Sequence, residues 1–322
     1  MALGRKFALS SGYSIPAIGL GTWQSKPNEV ENAVKIALQA GYRHIDGAAG
    51  YENEEEVGRG VKASGVPREE IFLTSKLWNT MHDPADVEEA LDKTLKELDT
   101  EYIDLYLMHW PVSFPKSSKP FPTDPETGLI QIANIPVAET WAAMEKLVEK
   151  GKARTIGISN FTKDKIEELF KTAKIKPAVH QIEAHPYLQQ REFLDWHKEK
   201  NILVEAYSPL GNNIYSLPRA VDDAVVVEVA KELNKTPAQV LISWAIQRGT
   251  VVLPKSVTAE RIESNFQDFE LPQDAFEKLN KLEKHCRYNF PARWGVDVFG
   301  EKGEESVKQS ALDWAAAQKK LN

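Results

Sequence analysis

Short apolar runs that alternate with amphipathic segments constrain the fold of this chain more than any other feature. Eight such runs occur, at residues 18–21, 43–46, 71–74, 103–108, 155–158, 179–182, 203–207 and 251–254. Between them, apolar residues recur every three or four positions, which is the period of a helix packed on one face. Strands that alternate with helices form parallel sheets through right-handed crossovers. We therefore predict an α/β fold, a (β/α)8 TIM barrel, with an open doubly wound sheet as the alternative.

Three segments stand outside this alternation. Residues 7–17 alternate weakly around a Ser-Gly pair, which predicts an N-terminal β-hairpin. Residues 111–135 form a long loop rich in Pro, Ser and Lys, and residues 286–322 form a C-terminal tail. Long loops often shape a binding site, so we expect both to lie over the barrel mouth. The length of 322 residues suits a single barrel domain over 1–322, with its core at about 7–285.

Capping residues predict where two of the helices begin. Asn28 is followed three residues later by Glu31, which is the spacing of a capping box. Thr236-Pro237 combines a capping hydroxyl with a proline in the first helical turn. We expect an amphipathic helix to begin at each of these pairs.

The charge balance excludes several classes of partner. Lys and Arg total 40 against 47 Asp and Glu, which gives a formal net charge of −7, and no basic block stands out. Nucleic acid and anionic membrane surfaces are therefore not expected as partners. Cys286 is the single cysteine, so no internal disulfide is possible, and no segment near the N-terminus resembles a signal peptide or a membrane span. These features predict a cytoplasmic protein.

Polar or aromatic residues follow almost every predicted strand. In a barrel the carboxyl ends of the strands converge on one mouth, so these side chains are expected to act as a set. The set comprises Thr22, Trp23, Asp46, Lys76, His109, Ser159, Asn160, Gln181, Glu183, Tyr207, Ser208, Lys255 and Ser256. A carboxylate, an ammonium and an imidazole that share a cavity can move protons. The set therefore predicts a catalytic site at the mouth of the barrel.

The segment from Asp46 to Tyr51 is where we place the chemistry. The four residues between them are all glycine or alanine, and they have little side chain to fill the space around them. We therefore expect Asp46 and Tyr51 to project into one cavity. Asp46 is also the natural counter-ion for Lys76, because a buried lysine loses its charge unless a carboxylate lies nearby.

A metal site is not predicted, although His180 and His185 lie close together in the sequence. On a strand, two residues at this spacing point to opposite faces. Their spacing also matches no known zinc pattern. We therefore expect neither histidine to be a metal ligand.

Phosphate-binding segments of the usual kinds are missing. Residues 19–24 begin like a dinucleotide fingerprint, but Gln24 stands where the third glycine is needed. Residues 252–258 run from a strand into a helix start, and Lys255 and Arg261 lie in or near this segment, which suits a phosphate. The same residues also suit an ordinary helix capped by its threonine with two solvated cations, and both interpretations fit the sequence.

Taken in order and spacing, these segments resemble the aldo-keto reductases from residue 7 to about residue 289. The matching segments are Gly19-Leu20-Gly21-Thr22-Trp23, His44-Ile45-Asp46, Tyr51-Glu52-Asn53-Glu54, Ser75-Lys76-Leu77-Trp78, Leu107-Met108-His109-Trp110-Pro111, Gly157-Ile158-Ser159-Asn160-Phe161, residues 181–186 and Pro254-Lys255-Ser256. Each is modest alone, but together they are highly specific. The resemblance is to NADPH-dependent reductases of aldoses and polyols, including glycerol dehydrogenase-like enzymes.

The resemblance implies the reduction of small or sugar-derived aldehydes and ketones with NADPH, reversible with polyols such as glycerol. Tyr51 would be the general acid that donates a proton to the carbonyl oxygen as hydride leaves the nicotinamide. A free phenol has a pKa of about 10 and is a reluctant acid, so an ammonium that stabilises the phenolate is useful. Lys76, held charged by Asp46, would fill that role. His109 would orient the carbonyl.

The resemblance also implies an NADP(H) site. The residues expected to bind the nicotinamide half are Ser159, Asn160 and Gln181 on the carboxamide and Tyr207 stacked on the ring, with Ser208 and Leu210 near the pyrophosphate. The other expected contacts are Gly21, Thr22, Trp23, Asp46 and Val257, then Lys255, Ser256, Thr258 and Arg261 on the 2′-phosphate, and Asn265 near the adenine. The chain departs from the family pattern at Ser264, where an acidic residue often helps to hold the adenosine.

An aromatic wall is expected around the substrate. Its members are Trp23, Trp78, Trp110, Phe114 and Phe121, together with Tyr51 and His109, and residues after Cys286 are expected to close it. Apolar walls with a few polar anchors are usual for small-molecule sites. The resemblance further implies a monomer. The alternative function is an NADPH-binding regulatory or sensor subunit on the same barrel, and the presence of all four proposed catalytic residues counts against it.

Overall fold

The structure is a computed structural model that describes residues 3–211 and 217–319. The last three residues of the predicted tail, 320–322, lie outside these ranges. Within them, no helix has both the length and the apolar composition that a membrane span requires. The organisation as a single domain stays a prediction.

The N-terminal hairpin is present as predicted. β1 (Lys6–Ala8) pairs antiparallel with β2 (Ser14–Pro16). Ile15 is fully buried and shares a small apolar cluster with Phe72 and Val179, which begin two of the barrel strands. The hairpin therefore covers the end of the barrel opposite the predicted mouth.

Eight parallel strands form one sheet in the described part of the chain. They are β3 (Leu20–Gly21), β4 (His44–Asp46), β5 (Phe72–Leu77), β6 (Ile103–Met108), β7 (Ala153–Ser159), β8 (Val179–Glu183), β9 (Leu203–Tyr207) and β10 (Val251–Val252). Each strand pairs with the next in chain order. Parallel bridges between Ile18 and Val252 and between Gly21 and Lys255 join the last strand to the first. The sheet is therefore closed, which confirms the barrel and rules out the open sheet.

Helices alternate with these strands and surround the sheet. Those of the described residues are α1 (Val30–Ala40), α2 (Glu54–Ser64), α3 (Val87–Glu97), α4 (Val137–Glu149), α5 (Lys163–Phe170), α6 (Arg191–Glu199), α7 (Ala224–Glu232), α8 (Pro237–Gln247), α9 (Ala259–Asn265), α10 (Gln273–Asn280) and α11 (Glu304–Lys319). Their buried faces carry the apolar residues whose spacing predicted them, such as Val34 and Leu38 in α1. Burying one such side chain stabilises the fold by about 1.5–3 kcal/mol.

The capping box predicted at Asn28 is wrong. α1 begins at Val30 without a side-chain cap, and Asn28 adopts a left-handed backbone with a φ of 68°. The carboxylate of Glu56 in α2 accepts hydrogen bonds from the backbone N–H groups of Asn28 and Val30 instead. By contrast, the helix start predicted at Thr236 is present, and there the structure shows a capping box with Gln239 as its second member. A neighbouring helix caps α1, and no local spacing reveals such a contact.

An apolar cluster joins the long loop 111–135 to the C-terminal tail. It buries Phe114 and Ile130 from the loop against Trp294 and Val298 from the tail. The tryptophans that follow β5 and β6 pack on the same cluster. Loop and tail therefore meet beside the carboxyl ends of these strands, as the sequence predicted.

Candidate active site

The side chain of Lys76 lies at the centre of the site. β5 extends to Leu77, so Lys76 lies inside the strand and not after it, as its run had suggested. Its buried ammonium donates hydrogen bonds to Asp46 Oδ1 at 2.7 Å and to the carbonyl oxygen of Gly47 at 2.7 Å. A third bond, of 3.3 Å, reaches the hydroxyl of Tyr51. All three N–H groups of the ammonium are therefore used, and the predicted pairing with Asp46 is present.

Tyr51 reaches Lys76 from a short 3-10 helix, Ala49–Tyr51, that follows β4. A Cβ atom at Gly50 would lie 2.5 Å from the indole of Trp78. Glycine is therefore required here so that this turn can pack directly against the tryptophan. The sequence had suggested only that small residues would leave space between Asp46 and Tyr51, and the indole of Trp78 takes up that space beside Gly50.

Burial and neighbouring charges set the protonation states of this group. Burial lowers the pKa of Lys76, but attraction to Asp46 and Tyr51 outweighs this effect and raises the pKa above its usual value. Burial raises the pKa of Tyr51 to about 12, against the opposing effect of Lys76. Burial also raises the pKa of Asp46, and Lys76 partly offsets this rise. At neutral pH the phenol is therefore protonated and the ammonium is charged.

His109 lies beside Tyr51 at the end of β6. Its ring centroid is 5.7 Å from that of Tyr51 and 5.1 Å from that of Trp78, both in edge-on contact. Burial and repulsion by Lys76 hold the pKa of His109 well below its usual value. A neutral imidazole keeps one N–H donor, which can hydrogen-bond to an oxygen of a bound molecule.

Hydroxyl and amide groups extend from this point along the ends of β7, β8 and β9. Asn160 has a left-handed backbone with a φ of 64°, and its Nδ2 donates to the carbonyl oxygen of His109 and to Ser159 Oγ, both at 3.0 Å. Ser159 Oγ donates to the carbonyl oxygen of Gln181 at 2.9 Å. The Tyr207 hydroxyl donates to Asn160 Oδ1 at 2.7 Å. The structure therefore brings together the polar residues predicted at these three strand ends.

A buried carboxyl group, that of Glu205, belongs to this network and was not predicted. Gln181 Nε2 donates to Asp46 Oδ2 and to Glu205 Oε2, both at 2.7 Å. Glu205 lies in the middle of β9, within an otherwise apolar run. An acidic residue inside such a run was the signal available in the sequence, but the prediction considered only residues at the strand ends.

The segment predicted to bind phosphate follows β10. The backbone N–H of Thr258 donates to Ser256 Oγ at 3.1 Å, and Arg261 Nη2 donates to Thr258 Oγ1 at 2.7 Å. Lys255 is exposed, and its Nζ donates to the carbonyl oxygen of Gln24 at 3.2 Å. The Thr258 side chain makes no cap to α9, so the structure does not support the ordinary capped helix. Two cations and two hydroxyls instead form a small cluster that suits an anion.

The other residues predicted to contact a cofactor lie around the polar residues at the ends of β7, β8 and β9 and around the segment after β10. Thr22 is buried, and its Oγ1 donates to the carbonyl oxygen of Asp46 at 2.8 Å. Ser208 has a left-handed backbone with a φ of 49°, and its Oγ accepts a hydrogen bond from Asn289 Nδ2 at 3.1 Å. Leu210 is half-buried two residues further on. Ser208 and Leu210 therefore lie at the start of the loop after β9, whereas Thr22 follows β3.

At the far end of the predicted cofactor site, Val257 is half-buried and Asn265 is buried. Gly21 pairs with Lys255 where the barrel closes. The carbonyl oxygen of Ser264 accepts a hydrogen bond from Gln239 Nε2 at 3.0 Å. The departure from the family pattern at Ser264 therefore lies beside the buried Asn265.

Aromatic rings surround the Tyr51 side of the site. Trp294, from the tail, lies 6.4 Å from Trp78, 5.0 Å from Trp110 and 5.3 Å from Phe114 between ring centroids. Phe114 is fully buried behind these rings, so it supports the wall and has no exposed face. The wall therefore depends on Trp294, which belongs to the tail that was expected to close it.

Two other members of the predicted wall are more open. Phe121 lies 5.5 Å from Trp78 between ring centroids, with a ring edge-on to the indole. Trp23 is 37% exposed and stands apart from this cluster. The exposed edge of Trp23 is available to a bound molecule.

Comparison with known proteins identifies the family. Residues 17–284 match the Aldo/keto reductase family, which is well over half of the chain. This chain belongs to the aldo/keto reductase family. It is an oxidoreductase that acts on carbonyl groups, as the sequence resemblance predicted.

Individual relatives of this aldo/keto reductase agree with the assignment. It is 44% identical to the D/L-glyceraldehyde reductase of Hypocrea jecorina over 97% of this chain and 99% of that one. It is 44% identical to aldo-keto reductase family 1 member A1 of Homo sapiens over 88% of this chain and 90% of that one. Its fold matches the aldose reductase of Schistosoma japonicum with a TM-score of 0.86 and 40% identity, over 94% of this chain and 99% of that one.

In this aldo/keto reductase, Glu183 holds the tail and does not reach into the mouth. Its carboxylate accepts hydrogen bonds from the backbone N–H groups of Tyr288 at 2.7 Å and Asn289 at 2.8 Å. It also lies 2.9 Å from His185 Nε2. The sequence placed Glu183 among the residues of the mouth, whereas the structure gives it the task of anchoring the segment that carries Trp294.

The two histidines considered as metal ligands have other partners. His180 Nδ1 lies 2.7 Å from His197 Nε2, and His180 Nε2 accepts a hydrogen bond from the backbone N–H of Phe161 at 3.1 Å. His185 pairs with Glu183. Across residues 3–211 and 217–319, no group of three or more His, Cys, Asp or Glu side chains is arranged to hold a metal ion.

Proposed function

We propose that this protein reduces aldehydes and ketones to alcohols with NADPH, with Tyr51 as the general acid. The observation that carries the proposal is the buried contact of 3.3 Å between the Lys76 ammonium and the Tyr51 hydroxyl. A phenol next to a cation is a stronger acid because the cation stabilises the phenolate. Asp46 neutralises the ammonium and keeps it in place.

The residues beside Tyr51 fit a nicotinamide dinucleotide. Ser159, Asn160 and Gln181 present a hydroxyl and two amides, which suit a carboxamide, and the half-buried ring of Tyr207 suits stacking. Lys255 and Arg261 provide the two positive charges that a 2′-phosphate requires and that NADH would leave unused. When bound, the dinucleotide would supply the hydride that reduces the carbonyl carbon.

The chain's own residues handle the proton and the orientation of the carbonyl. Tyr51 would deliver the proton of its hydroxyl to the carbonyl oxygen, and Lys76 would stabilise the phenolate that remains. His109 is neutral and would donate a hydrogen bond to the same oxygen. The Trp78 and Trp110 rings would exclude water from the reacting carbon.

We propose small or sugar-derived aldehydes as substrates, with polyols such as glycerol oxidised in the reverse direction. Support comes from a wall that is aromatic with few polar anchors, and from relatives named for glyceraldehyde and aldose reduction. The predicted monomeric state and cytoplasmic location stay predictions, and size-exclusion chromatography with light scattering tests the first of them.

A screen of NADPH oxidation tests the proposal. Short aldehydes, aldoses and ketones are offered with NADPH, and polyols with NADP, to wild type, Tyr51→Phe and Tyr106→Phe. Tyr106 is a matched control, because it carries a fully buried phenol on the adjacent strand β6 that makes no hydrogen bond to Lys76. We expect turnover in wild type and Tyr106→Phe and a loss of about 10²- to 10⁴-fold in Tyr51→Phe. NADPH binding without turnover in wild type would favour the regulatory subunit instead.

A further inference from the structure

A second buried acid lies beside the proposed catalytic group and shares the Gln181 amide with Asp46. Glu205 is in β9, where it pairs with Gln181 on β8 and Val251 on β10, and it is fully buried. Its Oε2 accepts the hydrogen bond from Gln181. Its Oε1 lies 3.3 Å from His44 Nε2, which is itself hydrogen-bonded to Thr74 Oγ1, and Oε1 makes no hydrogen bond to any of the described residues.

Among the residues that the structure describes, no lysine or arginine forms an ion pair with Glu205. The three N–H groups of Lys76 are directed at Asp46, Gly47 and Tyr51. His44 is uncharged, because burial lowers its pKa to about 3. A buried carboxylate without a cationic partner is costly, so the group avoids the charge by keeping its proton.

The charged and titratable groups that face Glu205 agree with this conclusion. They are His44 and Asp46 on β4, Lys76 on β5 and Tyr51 on the 3-10 helix, while β8 contributes the neutral Gln181 and β10 the apolar Val251. Burial, followed by repulsion from Asp46, raises the pKa of Glu205 to about 8, and Gln181 and Lys76 oppose the rise. The proton of the neutral acid would lie on Oε1, facing His44 Nε2.

We propose that Glu205 is a positioning residue that acts as a neutral acid. It fixes the orientation of the Gln181 amide, and because it carries no charge it does not weaken the positive potential of Lys76 at the Tyr51 hydroxyl. This inference rests on the proposed function. Both N–H groups of the Gln181 amide are directed at carboxyl oxygens, one on Asp46 and one on Glu205. The carbonyl oxygen of that amide is therefore the atom left to accept a hydrogen bond from a carboxamide NH2 group.

The ionisation of Glu205 would impair proton transfer. A second negative charge near Lys76 lowers the positive potential at the Tyr51 hydroxyl, and this raises the pKa of the phenol. The phenol then becomes a weaker acid. The activity should therefore decline on the alkaline side as Glu205 loses its proton.

The pH profile of Glu205→Gln tests this role. Gln has the same size, its amide oxygen still accepts from Gln181, and it cannot ionise. We expect the ratio of kcat/KM at pH 9 to that at pH 7 to be about tenfold larger in Glu205→Gln than in wild type. The matched control is Glu54→Gln. Glu54 is also buried, with a pKa raised by burial to about 7, but it bonds to Ser75 and Thr94 and not to Gln181.

Two measurements on the cofactor-free protein do not depend on turnover. In Glu54→Gln with 13C-labelled glutamate, one carboxyl resonance should titrate near pH 8. The unfolding midpoint of wild type should fall relative to Glu205→Gln as pH rises from 4.5 to about 8 and then level off. This sign follows because a raised pKa favours the protonated native state, and that stability is lost when the native acid ionises.

The outcomes separate this inference from the proposed function. Wild type without turnover would refute the proposed function, while the resonance and the unfolding profile would still report on Glu205. Equal alkaline profiles in an active wild type and Glu205→Gln would overturn the role of Glu205. A Glu54→Gln spectrum in which every glutamate titrates below pH 6 would also overturn the role of Glu205. This test does not require Glu205→Gln to fold.

Discussion

The hydroxyl of Tyr51 lies 3.3 Å from the Nζ atom of Lys76, and the ammonium has no contact with solvent. A charge in such a place acts more strongly on its neighbours than an exposed charge does, since water does not screen it. The pair therefore links the stability of the barrel to its proposed chemistry, and the two effects can be separated by mutation.

Lys76→Met should abolish most activity and also destabilise the fold. Removing the ammonium leaves the buried Asp46 carboxylate without its cationic partner, which costs about 3–5 kcal/mol. The double variant Asp46→Asn/Lys76→Met should recover much of this stability, because no unpaired charge remains. Its kcat should stay low, by about 10²- to 10⁴-fold. Urea unfolding and NADPH oxidation measure the two effects, and a double variant that regained activity would contradict the role of Lys76.

Replacing Lys255 and Arg261 with neutral residues should remove the preference for NADPH over NADH. Each charge-assisted hydrogen bond to a phosphate is worth about 1.5–3 kcal/mol, so the double Met variant should raise the KM for NADPH by at least about 100-fold. The KM for NADH should change little. The control is Lys93→Met/Lys96→Met, which removes the same charge from α3. Equal effects on the two dinucleotides would defeat the assignment.

Acid should destabilise the fold through buried histidines. Burial lowers the pKa of His82 from 6.5 to about 3. Between these two pH values His82 is therefore protonated in the unfolded chain but neutral in the native state. The stability that neutral His82 provides is complete above pH 6.5 and declines by about 1.4 kcal/mol per pH unit below it. His82→Gln should reduce the slope of stability against pH between pH 4 and 6.5. His285→Gln, which changes a side chain that is 90% exposed, should not.

Glu183→Ala should loosen the tail and weaken aldehyde binding. The change leaves the backbone N–H groups of Tyr288 and Asn289 without their acceptor, at a cost of about 1–3 kcal/mol each. Trp294 should then lose its fixed position, so the KM for the aldehyde should rise more than the KM for NADPH. Limited proteolysis should cut the tail faster. Glu301→Gln, which breaks the more exposed pair with Arg287, should leave both KM values nearly unchanged.

The barrel and the strand-end residues could be predicted because their signals are local. An apolar run followed by a polar residue marks the end of a buried strand, and this pattern located Asp46 and His109. It failed for Glu205, whose importance depends on contacts with Gln181 and His44 from other strands. Nothing in the neighbouring sequence reports those contacts.

The capping error, and the fact that the sequence did not single out Trp294 among the tail residues expected to close the wall, have the same physical cause. Asn28 has the right spacing for a cap, yet Glu56 from another helix supplies the acceptor. Trp294 joins the wall because Glu183 anchors the tail about a hundred residues away along the chain. Each contact is formed by tertiary packing, which a pattern along a single segment does not contain.

The strands that close the barrel, Leu20–Gly21 and Val251–Val252, have only two residues each. Lys255 crosses this seam to the carbonyl oxygen of Gln24 at 3.2 Å, just where the phosphate end of the dinucleotide would bind. A ligand bound there would contact both the first and the last strand of the barrel and link them. The bound molecule would then stabilise the shortest strand pairing of the barrel. The first and last strands would be held together most firmly while the dinucleotide is bound during turnover.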